Sequence, residues 1–182
     1  MKQLLSTILF LFTVTAIFAQ PAADKISVII KAGKFTINKA VISEGWRKDV
    51  ASVTLGMAER KRPGYNTTYT YDNLGIVLFE KNDDKLPSGI LSEVQFYISA
   101  GDTNAVSPKG FFAGKMEVEK VKISSNLDWK TLREKLKDYT SSESYMEHNF
   151  RLAYKGIYIY FKYNNEETVL QKMSIGVDKS SK

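Results

Sequence analysis

From Ile26 onward the apolar positions fall in short, often alternating runs, which predict strands more than long helices. Ile26-Ser-Val-Ile-Ile30 has the β-branched content of a strand, and Ala32-Gly33 then marks a bend. Phe35-Thr-Ile37 and Ala40-Val-Ile42 flank the polar step Asn38-Lys39 and predict a tight hairpin. Met116, Val118, Val121 and Ile123 repeat that alternation around Glu119-Lys120, although glutamate has no turn preference. A helix is predicted after each hairpin. Trp46, Val50 and Val53 stand at i, i+4 and i+7, and Trp129, Leu132 and Leu136 at i, i+3 and i+7. Asp128 is placed to cap the second helix and Gly56 to end the first. Three strands close each unit: Thr68 to Asp72, Gly75 to Glu80 and Ser92 to Ile98, then Asn149 to Tyr154, Gly156 to Tyr163 and Val169 to Val177.

The same order thus occurs twice, and the sequence supports a duplication. In the windows 32–43 and 113–124, six of twelve positions are identical, and the only two tryptophans follow at matching places. Leu74-Gly75-Ile76 aligns with Lys155-Gly156-Ile157 at the same offset. The expected organisation is a first unit over 24–100, a polar connector over 101–110 and a second unit over 111–178. The expected fold class is α+β, a tandem repeat of strand, strand, helix and three strands, with antiparallel sheet and the helices on one face. In that frame Trp46 and Trp129 are helix anchors, and Gly75 and Gly156 serve tight reversals.

Composition changes this picture at the N-terminus. Residues 1–19 combine Lys2, the apolar run Ile8 to Phe12 and a small residue at Ala19, the pattern of a secretory signal peptide cleaved after Ala19. The product is expected to be periplasmic or secreted, with no transmembrane segment after the signal is removed. The chain has no cysteine, which excludes a disulfide framework and a lipoprotein anchor. The net charge of +6 falls to +5 without Lys2 and is spread over both halves, so nucleic acid is not an expected partner.

Catalytic signatures are missing. The single histidine, His148, has no second imidazole or thiol in the sequence with which to build a metal site, and no Gly-rich phosphate loop, nucleophile elbow or Ser-x-x-Lys occurs. No catalytic residue, metal or cofactor is therefore expected. Binding chemistry remains. In Ile157-Tyr-Ile-Tyr-Phe161, period two places Ile157, Ile159 and Phe161 on one face and Tyr158 and Tyr160 on the other. Tyr69 and Tyr71 lie on the strand before the corresponding one of the first unit, and Arg60-Lys61-Arg62 forms a basic cluster in a polar loop over 57–67 that the second unit lacks. Tyrosine suits a binding face because it joins a large apolar ring to a polar tip.

Tyr71-Asp72-Asn73-Leu74-Gly75-Ile76 resembles a motif of a bacterial domain of unknown function found in exported and cytoplasmic proteins. The architecture also resembles the tandem helix-plus-sheet repeats of the β-lactamase inhibitory protein and the small outer-membrane assembly lipoproteins. That likeness implies a concave sheet that grips another protein. The expected function is an exported, non-enzymatic binding module that meets a protein or cell-envelope component through an aromatic sheet face. The alternative is a small-ligand or lipid carrier with its pocket between the repeats.

Overall fold

The computed structural model describes residues 20–101, 103–142 and 146–178. The expected signal peptide, 1–19, lies outside the described residues. The fold is α+β. A short 3-10 turn, Ala23–Lys25, leads into β1 (Ser27–Lys31), β2 (Lys34–Ile37), β3 (Ala40–Val41), α1 (Lys48–Leu55), β4 (Arg60–Arg62), β5 (Asn66–Tyr71), β6 (Ile76–Asp83) and β7 (Leu86–Tyr97). Then come β8 (Lys115–Val118), β9 (Val121–Lys122), α2 (Trp129–Lys135), β10 (Thr140–Ser142), β11 (Asn149–Tyr154), β12 (Ile157–Tyr163) and β13 (Leu170–Val177). From β2 the order of two strands, a helix, a short strand and three longer strands occurs twice. The short strand β4 arises within 57–67, which reads as a polar loop, and β10 stands at the corresponding place in the second half.

Two sheets are built from these strands. The smaller has the order β3-β2-β1-β8-β9, and β1 is its shared centre, antiparallel to β2 and parallel to β8. That one parallel pairing departs from an all-antiparallel expectation. The larger sheet has the order β10-β11-β12-β13-β7-β6-β5-β4 and is antiparallel throughout. β7 and β13 join the two halves edge to edge, so the halves do not pack sheet face on sheet face.

Both hairpins form where the alternation predicts them. Asn38 and Lys39 (φ 47° and 72°) and Glu119 and Lys120 (φ 45° and 70°) occupy the left-handed region that a two-residue turn needs. The Glu119 carboxylate ties its turn to neighbouring segments: Ala32 N donates to Oε1 at 2.6 Å, and Tyr139 OH does so at 3.3 Å.

One face of the large sheet carries the core. Ile76, Leu78, Val94, Phe96, Ile159, Phe161, Met173 and Ile175 are buried on it. The small sheet meets it through Phe35, whose ring lies 6.4 Å from Phe96 and 5.7 Å from Trp46. α2 meets the same face through Trp129, stacked 4.0 Å from Phe150. Asp128 caps α2, accepting from Thr131 N at 2.8 Å, and Gly56 (φ 80°) follows α1, both as the sequence predicts. The predicted face of α1 is corrected. Trp46 stands before the helix with φ 50°, which breaks the phase between it and the residues that follow. The helix buries Ala51 and Leu55, while Val53 is 87 % exposed.

Candidate functional site

Strand register decides which tyrosines can act together. Tyr69 pairs with Leu78 and Tyr71 with Ile76, which puts both rings on the core side of the large sheet. Tyr158 and Tyr160 pair with Gly176 and Ser174 and lie on the opposite side. The four tyrosines therefore do not form one aromatic face. Sequence alone placed Tyr158 and Tyr160 correctly against Ile157, Ile159 and Phe161, which are buried. The Tyr158 ring covers Gly176, and its hydroxyl donates to Glu93 Oε2 at 3.0 Å. Burial first, and then that carboxylate, hold its phenol well above the ordinary range.

On the core side, near the β4 edge, the sheet and α1 leave a cleft of about 460 Å³. Lys48, Ser52, Val53 and Gly56 line it from α1 and its end, Met57 and Ala58 from the following turn, and Lys61, Tyr69 and Tyr71 from β4 and β5. Tyr71 closes the floor: it is 1 % exposed, its hydroxyl donates to Gly56 O at 3.4 Å, and Ser52 Oγ lies 3.5 Å away. Tyr69 forms a wall. Its hydroxyl donates to buried Glu80 at 2.6 Å, and burial together with that carboxylate keeps the phenol protonated far above neutral pH. The Lys48 ammonium stands 4.4 Å from the Tyr69 ring centroid and that of Lys61 5.5 Å, both within cation-π range. Val53 and Met57 are 87 % and 61 % exposed. Gln20 lies at the rim, against Gly56 and with its side-chain amide donating to Met57 O.

The basic triplet divides into three roles. Lys61 enters the cleft wall. Arg60 is committed to structure: Nε and Nη2 donate to the Asp72 carboxylate at 2.9 and 2.7 Å, and Nη1 and Nη2 reach Ala105 O and Ser107 O. Arg62 is exposed at the sheet edge, where cationic side chains discourage further strand pairing. Asp72 also accepts from Lys109 N, and its carbonyl from Gly110 N, so the Tyr71-to-Ile76 string clasps the connector.

The Arg60 hydrogen bonds, set against burial, hold the Asp72 carboxyl below its usual value. A depressed carboxylate contributes stability above its unfolded pKa, about 3.9, and loses it as the pH falls through the folded value. Arg60→Ala is expected to cost about 2 kcal/mol at pH 7, less than a fully buried pair because Arg60 is 38 % exposed. In urea denaturation the gap between wild type and variant should narrow below about pH 4. A constant gap would mean that Arg60 contributes packing instead.

Among the described residues no three His, Asp or Glu side chains are grouped as metal ligands, and no helix is long and apolar enough to cross a membrane. His148 Nδ1 lies 3.3 Å from Glu167 Oε1 and joins the residues before β11 to the turn between β12 and β13. Sequence reasoning did not find Lys48, Ser52 and Met57 as site residues. Spacing gives no signal for them, because it places Val53 on the buried face, and only the break in phase at Trp46 turns Val53 and Met57 outward.

A family model described as "Domain of unknown function (DUF7738)" matches residues 27–133, from β1 into α2. No curated protein matches the chain. Among solved structures, the 1.5 Å crystal structure of an extracellular protein containing a SCP domain, from Bacillus anthracis str. Ames, aligns with a TM-score of 0.49 at 8 % identity. The alignment covers 75 % of this chain and 44 % of that one.

Proposed function

The chain belongs to the DUF7738 family of domains of unknown function, which assigns no activity, and we propose from its geometry that it is an exported, non-enzymatic binding module. Its ligand site is the cleft between α1 and the β4–β5 edge. The single observation that carries this reading is a preformed recess of about 460 Å³, within the usual range of about 300–1,000 Å³ for ligand sites, with a mostly uncharged lining and two convergent ammoniums. The groups that converge there are suited to holding a ligand. The Tyr69 hydroxyl is occupied by Glu80 and that of Tyr71 by Gly56, so neither is poised for proton transfer. Relative to the pocket expected between the repeats, the site lies wholly within the first half. A protein or envelope partner on the Tyr158–Tyr160 face is the competing reading, favoured by two half-buried tyrosines outside the core.

One experiment separates them. A neutral apolar dye such as Nile red should bind the purified chain with enhanced fluorescence. Ser52→Trp, which fills the cleft, should abolish the signal, and Tyr160→Ala should leave it unchanged. Loss of dye binding in Tyr160→Ala alone would move the site to the outer sheet face.

A further inference from the structure

We propose that the cleft takes a single-chain anionic amphiphile, its head group held by the Lys48 and Lys61 ammoniums and its chain laid along Val53, Met57 and Ala58. This rests on the cleft being the binding site and specifies the ligand it selects.

Charge carries the first step. Three carboxylates adjoin the cleft and each is engaged away from the lysines. Asp49 is paired with Arg47. Glu59 accepts from Asp72 N and from the Asn73 backbone and side chain. Glu80 is buried and accepts from Tyr69 OH on one oxygen and Gly89 N on the other. Among the described residues neither Lys48 nor Lys61 has a carboxylate within ion-pair distance, yet both ammoniums gather on one aromatic ring. Two like charges at one wall of an apolar recess repel each other, and an anion placed between them relieves that repulsion.

The lining carries the second step. Beyond the ammoniums the cleft offers apolar surface, including Val53 and Met57, which the fold leaves exposed. Methionine is unbranched and adapts to chains of different shape. A volume of about 460 Å³ lies toward the small end of ligand sites, which suits one alkyl chain better than a two-chain lipid. A ligand with a charged end and a single apolar tail satisfies both parts of the lining at once.

The test uses the purified chain, Nile red as the reporter, and dodecanoate and 1-dodecanol as competitors at concentrations below aggregation. Dodecanoate is expected to displace the dye at about a tenfold lower concentration than dodecanol. Lys48→Met with Lys61→Met should erase that difference, read by direct calorimetric titration of the two compounds so that no dye is needed, with an unchanged thermal midpoint showing that the variant is folded. Equal displacement by the two compounds in the wild type, or a preference that survives the double substitution, would overturn the head-group assignment and leave the cleft as a binding site. Absence of dye binding to a folded wild type would overturn the cleft reading itself.

Discussion

Gly75→Ala is expected to destabilise the protein by roughly 3–5 kcal/mol, whereas Gly156→Ala, at the matching place in the second half, should cost only about 1–2 kcal/mol. Both glycines have positive φ, 68° and 80°, and a side chain there incurs the left-handed penalty in either case. The surroundings differ. A Cβ on Gly75 would lie 2.2 Å from Phe112 N and 2.4 Å from Phe111 C, against backbone. That backbone cannot retreat easily, because Phe112 N donates to Tyr97 O at 2.6 Å and Tyr97 N to Gly75 O at 2.9 Å. Around Gly156 no heavy atom lies within 4 Å of the added carbon. Urea denaturation of the two variants measures the difference. Equal losses would show that the close approach of the Phe111–Phe112 backbone contributes nothing.

The tryptophans should also separate. Trp46→Ala is expected to cost about 3–5 kcal/mol, since the ring is 6 % exposed and packs against Phe35 where the small sheet, the start of α1 and the large sheet meet. Trp129 is only partly buried and stacks on Phe150 with an interplanar angle of 9°, so its removal should cost roughly 2–3 kcal/mol. Chemical denaturation followed by circular dichroism ranks them without relying on tryptophan fluorescence. A larger loss for Trp129 would place the decisive contact in the second half and contradict the packing described.

These cases show how far local pattern reaches. The burial of Ile157, Ile159 and Phe161 was legible because strand side chains alternate with period two whatever the strand's neighbours. The two hairpins and the Asp128 cap were legible for the same reason, since each is set by a few adjacent residues. The helix face after Trp46 was misread because one residue at φ 50° shifts the phase, and periodicity carries no sign of that. The basic triplet was visible as a cluster, but its division between a structural arginine, a cleft lysine and an edge arginine depends on Asp72, twelve residues from Arg60.

By itself, then, the amino-acid order determined the α+β class, the turns and the alternation along each strand. Tertiary structure alone decided which sides of the large sheet Tyr69 and Tyr158 occupy, that β1 pairs in parallel with β8, and that Lys48 and Lys61 meet over one ring. The physical reason is one of range. Alternation and turn preference act between neighbours in the chain, whereas a cleft needs a helix laid across strands whose register is set by pairing with distant segments.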